Sequence, residues 1–317
     1  MGRFNSQKHV KYYFLCVFSS LLFLNSTSPL WAQNWDKVTI KSRQINGYVF
    51  LLRSNAGGNT IACVGDKGIV LVDSDFSQIS KKLTDALREI SQKPVTTLIN
   101  THWHFDHTGG NKHFAERGCK IIAHKNVRER MSKDQTIGIL NIDVKASPPA
   151  ALPQKLVKDS MHLNTGKENI MIQHLPQAHT DGDICVFFKN SNVLHTGDLV
   201  FNGSYPFIDV FGGGSIDGMI KGLDFMSGLC NDETVIVPGH GPLLNKIRLK
   251  EYRAMLMEFR EAVDKELRSG KTLEQTQNSD ALKEITRKWG YRHFPPPMFI
   301  KMVYLSLSKK KGQVNSS

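Results

Sequence analysis

The sequence predicts an α/β fold, and three observations carry that expectation. Short β-like runs separated by turn signals follow residue 36. An amphipathic helical segment and a short apolar run come next. The second half repeats the theme, with runs near residues 175, 195 and 237 that each lead into a loop holding a metal-capable side chain.

Taken in chain order, residues 1 to 11 carry Arg3, Lys8 and Lys11 and no acid, Tyr12 to Leu24 is almost wholly apolar, and a polar, small-residue stretch ends near Trp31-Ala32. This is the pattern of an export signal, expected to span residues 1–32 with cleavage after Ala32. An uncleaved anchor is the alternative, but the apolar run is about half of what a membrane-spanning helix needs. The expected location is periplasmic or secreted, without stable membrane insertion once the signal is removed, since no later segment is long and apolar enough to span a bilayer.

Removal of the signal leaves a net charge of about +9 from the +12 of the whole chain. Apart from Lys309-Lys310-Lys311 the cations are scattered, and no basic run is interleaved with aromatics, so nucleic acid is not an expected partner. A small-molecule substrate is. Cys63, Cys119, Cys185 and Cys230 are widely spaced with no C-x-x-C pair, which argues against a zinc ribbon. Cys63 and Cys185 sit in apolar runs, where a buried free thiol is expected.

Strands are predicted at Val38 to Ile40, Tyr48 to Leu52, Thr60 to Val64 and Ile69 to Val72, with turns at Asn46-Gly47, Gly57-Gly58 and Asp66-Lys67-Gly68. Ile79, Leu83, Leu87 and Ile90 set helical periodicity over 77–91, and Val95 to Ile99 is a strand that delivers the chain into Asn100-Thr101-His102. Pro148-Pro149 marks a surface loop. Strands follow at Ile170 to Ile172, Ile184 to Phe188, Val193 to His195 and Val235 to Val237, with a helix over 215–229 between the last two. From Leu249 to Lys288 the pattern is amphipathic helix twice over, broken at Ser269-Gly270, and a final apolar piece follows Pro295-Pro296-Pro297. With 317 residues, 40% of them hydrophobic, the chain can bury a substantial core. The expected division is a signal at 1–32, a domain at 33–248, and a C-terminal helical extension at 249–317 packed on that domain.

The chemistry concentrates in Thr101-His102-Trp103-His104-Phe105-Asp106-His107-Thr108-Gly109-Gly110, four potential ligands in six positions on a loop at a strand end. In extended backbone His102 and His104 point the same way, and a turn at the glycines would let Asp106 and His107 face a second point nearby. Imidazole suits zinc, and a carboxylate adds a hard oxygen that can bridge. The set exceeds what one tetrahedral ion can use. His124 and His195 read as structural imidazoles, and His113, His162, His174 and His293 have no ligand-spaced neighbours.

H-x-H-x-D-H with Thr108-Gly109-Gly110, then Ala178-His179-Thr180-Asp181-Gly182-Asp183, Thr196-Gly197-Asp198, and Pro238-Gly239-His240-Gly241 resemble, in this order, the metallo-β-lactamase superfamily over roughly residues 36 to 250. The resemblance implies a four-layer αββα sandwich with extra C-terminal helices and two metal ions per chain, zinc first, with iron or manganese as alternatives. It implies a first site of His102, His104 and His179, and a second of Asp106, His107 and His240, with Asp198 bridging. Asp181 and Asp183 become candidates for orienting ligand histidines.

Two cations sharing a water lower its pKa towards neutrality, and Asp106 can accept a hydrogen bond from it as the catalytic carboxylate. No G-x-S-x-G elbow suggests a serine hydrolase. The implied function is hydrolysis of an ester, thioester, lactone or amide, a β-lactam among them. The best known β-lactamase subclass resembles this chain less at two positions, where a Cys ligand and a substrate-holding Lys are replaced by Asp198 and Phe201. Asp198 resembles the pattern of glyoxalase-II-like thioesterases, lactonases and phosphodiesterases. The alternative is a mononuclear iron redox enzyme of the same fold, such as a persulfide-dioxygenase-like protein. Tyr205 and Phe207, in the glycine-flanked stretch 202–214, are the expected substrate-binding wall, with the turn Ser54 to Asn59 opposite.

Overall fold

The computed structural model describes residues 34–290 and 294–314, so the expected export signal lies outside the described residues, as does His293. Residues Trp35–Lys37 form a single 3-10 turn. From Val38 onward a meander of β1 (Ile40–Asn46), β2 (Val49–Ser54), β3 (Asn59–Val64) and β4 (Ile69–Val72) leads through α1 (Ser80–Ile90) to β5 (Val95–Ile99). Then come α2 (Phe105–Thr108), α3 (Asn111–Ala115), β6 (Lys120–His124), α4 (Lys125–Met131), a small hairpin of β7 (Gln135–Ile137) and β8 (Ile142–Val144), and β9 (Lys155–Val157). The second half runs β10 (Ser160–Asn164), β11 (Asn169–His174), β12 (Ile184–Phe188), β13 (Val193–His195), α5 (Ile216–Leu229) and β14 (Val235–Val237). The helices α6 (Lys246–Arg268), α7 (Leu273–Gln277), α8 (Asp280–Trp289) and α9 (Pro296–Val314) complete it. The expected strand at Val38 to Ile40 starts later, at Ile40, and the second C-terminal helix is two, divided where Ser279 caps α8 by accepting from Leu282 N–H.

Period-2 alternation explains the layers. One sheet has the order β1-β2-β3-β4-β5-β6-β9 and a second the order β10-β11-β12-β13-β14. Ile61, Cys63, Val70, Val72, Ile99 and Ile122 of the first face Ile172, Ile184, Val186, Phe188, Val193 and Val237 of the second in one buried cluster. Their chain neighbours point the other way. Ala62, Leu71, Leu98 and Ile121 pack under Leu83, Ala86 and Leu87 of α1 and Phe114 of α3. Cys185, Leu194 and Ile236 pack against Ile220 and Leu223 of α5 and Leu256 and Phe259 of α6. The chain is thus the αββα sandwich, helix layers outside two facing sheets. All four cysteines among the described residues are buried and free, and burial pushes the Cys63 and Cys185 thiols up to about 12.

Tyr205 departs from the sequence expectation. Its side chain is fully buried, stacked at 5.0 Å and 5° on Phe299 of α9 and edge-on at 5.1 Å to Phe259 of α6. A ring of this size between two helices gains more from burial and ring packing than from standing at a substrate cleft. Tyr205 therefore belongs to the core that fastens the C-terminal helices, not to the substrate wall. Tyr205→Ala should lower stability by about 3–5 kcal/mol, the range for emptying a buried aromatic position. A thermal melt superimposable on the wild type would return Tyr205 to the surface.

Candidate metal centre

Strand direction puts the motifs on one edge. β4 and β5 are parallel with Val72 opposite Ile99, so Asp73 and the Asn100-Thr101-His102 segment leave the sheet side by side. β13 and β14 are parallel with His195 opposite Val237, which brings the loops of Asp198 and His240 together. Ile184 N–H donates to Thr101 O (2.8 Å), and Asn59 joins the sheets by donating from its N–H to Gly239 O (2.8 Å) and from Nδ2 to Pro238 O and Gly241 O (2.9 Å each). Gly239 is required for close approach, since a Cβ there would fall on Asp198 Oδ1.

Within the first motif the change of direction comes from helix rather than from the glycines. His104 is extended (φ −63°, ψ 147°) and serves as N-cap of α2, whose single turn swings Asp106 and His107 to a second point before Gly109 is reached. His102 and His104 remain on one side, with Nε2 and Nδ1 3.0 Å apart.

Hydrogen bonds fix the tautomers of the first set. His104 Nε2 donates to Asp209 Oδ2 (3.1 Å), and His179 Nδ1 donates to Phe207 O (2.8 Å). Thr101 spends its one hydroxyl hydrogen on Asp73 Oδ2 (2.8 Å) and so accepts from His102 Nδ1 (3.0 Å). The remaining nitrogens are lone pairs, and they converge. His104 Nδ1 lies 3.0 Å from both His102 Nε2 and His179 Nε2, and Asp198 Oδ2 is 3.8 Å from each of those two. Three lone pairs at such separations repel unless a cation lies among them. A tetrahedral zinc with ~2.0–2.1 Å nitrogen bonds sets its donors ~3.3–3.4 Å apart, inside the observed spread.

The second set mixes imidazole and carboxylate. His107 Nδ1 donates to Asp73 Oδ2 (2.8 Å), leaving Nε2 facing Asp198 Oδ1 (3.2 Å), His240 Nε2 (3.3 Å) and Asp106 Oδ2 (3.4 Å). His240 Nε2 is 3.2 Å from Asp106 Oδ2 and 3.4 Å from Asp198 Oδ2. Asp198 Oδ1 is buried and receives no hydrogen bond of good geometry. All seven predicted ligands are brought together, in two groups that share Asp198.

Electrostatics separates the groups. Burial, then the neighbouring His104, pushes His179 down to about 4, and burial with the charge of His107 holds His102 well below its usual value. Burial opposes charge in the second group too, yet Asp198 and the hydrogen-bonded Asp106 hold His240 up at about 10, and Asp198, Asp106 and Asp73 hold His107 well above normal. Asp106 and Asp198 stay well below the usual carboxylate range despite burial, chiefly through His107. This is a pocket that favours positive charge.

Asp73 and Asp209 are the positioning residues that sequence reasoning missed. An acid directly after an apolar strand was the available signal for Asp73; nothing local marks Asp209. Asp181 and Asp183, expected to orient ligands, do other work. Asp183 accepts from Thr180 N–H and Oγ1 (2.7 Å each), and Asp181 pairs with both arms of Arg130. Phe207 does reach the centre, 6.1 Å from His104 and 5.9 Å from His179 between ring centroids. The glycine run is a tight turn: Gly212 N–H donates to Asp209 Oδ1 (2.8 Å), and a Cβ on Gly214 would strike His179 O. Gly58, in the early hairpin turn, lies against the other side, where a Cβ would be 3.3 Å from His107 Cε1 and 3.6 Å from His240 Cε1. His124 and His195 are structural as expected: His195 Nε2 donates to Asn59 O (3.0 Å), and His124 Nδ1 accepts from Asn126 N–H (3.3 Å).

Known proteins share the family and the fold. The family described as the metallo-beta-lactamase superfamily matches residues 55–274. Metallo-beta-lactamase IND-1 of Chryseobacterium indologenes is 25% identical over 57% of this chain and 71% of its own length. Hydroxyacylglutathione hydrolase of Pelagibacter ubique is 30% identical over 50% of this chain and 52% of its own. Among solved structures, the sec-alkylsulfatase Pisa1 of a Pseudomonas species superposes with a TM-score of 0.64 at 16% identity, over 84% of this chain and 50% of that one, a likeness of fold.

Removing a positioning carboxylate should weaken one group selectively. Asp209→Ala, which frees His104, should lower affinity for a single metal ion by about 10–100-fold, while His240→Ala should lose the other ion outright. Equilibrium dialysis with metal analysis checks both, and equal loss from either variant would overturn the division into two groups.

Proposed function

We propose that this chain, which belongs to the metallo-β-lactamase superfamily, is an exported dinuclear zinc enzyme that hydrolyses an ester, thioester, lactone or amide of a small molecule. Relatives named as hydrolases and metallo-beta-lactamases support metal-dependent hydrolysis; the ion count, the metal, the substrate and export are the proposal. The observation that carries it is the convergence of the fixed imidazoles of His102, His104 and His179 on one point and of His107, His240 and Asp106 on a second, with Asp198 shared by both. One relative is named a metallo-beta-lactamase and another a hydroxyacylglutathione hydrolase, which is why both a cyclic amide and an acylated thiol stand among the substrates.

His102, His104 and His179 with Asp198 would hold one ion, and Asp106, His107 and His240 with Asp198 the other. When bound, the ions supply Lewis acidity and make water a nucleophile near neutral pH. The chain does the rest. Asp106 turns Oδ2 to His107 and His240, which leaves Oδ1 to accept a hydrogen bond from the attacking water and take its proton. The water oxygen bonds to the carbonyl carbon, the bond to the leaving oxygen, sulfur or nitrogen breaks, and the proton held by Asp106 passes to that leaving atom. Asp209 and the Phe207 carbonyl keep His104 and His179 from rotating.

The purified protein should contain zinc near two ions per chain and hydrolyse at least one of nitrocefin, a lactone and a thioester, with both metal and turnover lost to a chelator. Asp198→Ala should keep one ion and lose more than ~100-fold in kcat, beyond what a merely supporting residue costs. Iron with sulfur-dependent oxygen uptake would replace this reading by a redox one.

Export rests on the N-terminal charges and apolar run. Protein recovered from the periplasm or medium should begin at Gln33. Protein kept in the cytoplasm with Met1 in place would overturn export.

A further inference from the structure

Three phenylalanine rings form a continuous aromatic surface beside the metal centre. Phe201 lies face to face with His240, 4.9 Å between centroids at 14°, and tilts against His179 at 6.2 Å. Phe207 rests on His104 and His179. Phe294 joins the two, edge-on to Phe201 at 6.0 Å and stacked on Phe207 at 5.8 Å and 29°. The surface therefore spans both groups of ligands. His240, on which Phe201 stacks, is the most exposed of the seven ligand side chains at 27%, so the surface borders the side open to an incoming molecule.

The three rings differ in exposure. Phe201 and Phe207 are buried at 8% and 4%, whereas Phe294 is only partly buried. It is also held in place. Its N–H donates to Ser204 Oγ (3.4 Å), and Pro295 O begins α9 by accepting from Met298 N–H (2.9 Å) and Phe299 N–H (3.2 Å), with Phe299 locked on Tyr205. Residue 294 lies beyond residue 274, where the family match ends, so Phe294 joins Phe201 and Phe207 from the stretch just before α9.

Among the described residues the cation–ring contacts fall on Tyr48, Trp289 and Phe211, and none on these three rings. Against the ring faces an anionic group loses hydration and meets the negative side of each ring's quadrupole, whereas an aromatic or bulky apolar group buries area and finds ring partners.

We propose that Phe201, Phe207 and Phe294 recognise the substrate, that its group next to the scissile carbonyl is uncharged and aromatic or bulky apolar, and that Phe294 is the specificity-determining residue. This rests on the hydrolase reading and names its substrate class.

The test pairs binding with turnover, on the full zinc-loaded protein. Benzylacetone, an uncharged ketone that cannot be hydrolysed, is titrated calorimetrically alongside its ring-carboxylated analogue, and the ethyl thioesters of phenylacetic and acetic acid are assayed. Benzylacetone should bind more tightly than the carboxylated analogue, and Phe294→Ala should weaken it about tenfold, the loss of one ring pair with its buried area, while metal content is retained. The kcat/KM preference for phenylacetyl over acetyl thioester should fall by a similar factor. If Phe294→Ala does not fold, as melting will show, Phe294→Leu carries the same expectation, since leucine keeps apolar bulk without a ring face. Undiminished benzylacetone binding in the folded variant, or tighter binding of the carboxylated analogue by the wild type, overturns the proposal. Turnover of both thioesters with an unchanged ratio overturns the surface and leaves the hydrolase. Phe294-dependent ketone binding without turnover of either thioester, of nitrocefin or of a lactone supports the surface and removes the hydrolase.

Discussion

Both groups of ligands hang on the carboxylate of Asp73. Its Oδ1 accepts from Thr101 N–H (2.7 Å), its Oδ2 from Thr101 Oγ1 and from His107 Nδ1 (2.8 Å each), and through Thr101 it also settles His102. One carboxylate thereby fixes an imidazole in each group. The residue reaches this position because the chain turns sharply after β4, at φ +63°, a left-handed conformation that costs about 1–2 kcal/mol and that aspartate tolerates better than most. That local strain is offset by three hydrogen bonds inside a buried pocket. His102, His104, His107 and His179 then have their outward nitrogens committed, and the inward nitrogens of the first group face one another.

Such a centre needs a rigid frame, and strand direction supplies one. Because β4 runs parallel to β5 and β13 to β14, the loops that follow them open at the same edge, and the register of each pair decides which residues meet. Asn59 and the Thr101–Ile184 contact then tie the sheets together beside the site, so that neither sheet can slide without breaking buried hydrogen bonds.

The C-terminal helices serve the same site from outside. Phe259 of α6 and Phe299 of α9 clasp Tyr205, in the loop that follows Asp198, and the residues just before α9 bring Phe294 over Phe201 and Phe207. Packing energy and site architecture share one stretch of chain here, and a change that loosens α9 would reach the aromatic surface as well as the fold.

What the sequence determined by itself is the chemistry that is local in the chain. Four ligands within six residues, and single ligands set among Gly and Pro after short apolar runs, identify metal-capable groups because strand period, turn signals and ligand type are all written in neighbouring residues; β4, β5, β12, β13 and β14 appear with the expected ends for the same reason. Some expectations could not be resolved this way. Tyr205 and Phe207 look alike in sequence, two residues apart among glycines, yet one is sealed between helices some fifty and ninety residues further on and the other lies against His104 and His179. Asp209 and Asp181 are equally unremarkable acids, and only the fold makes the first a partner of His104 and the second a partner of Arg130. Which polar group meets which, and which ring faces the site, depends on contacts between segments far apart in the chain, and those contacts exist only once the two sheets and their helix layers have packed.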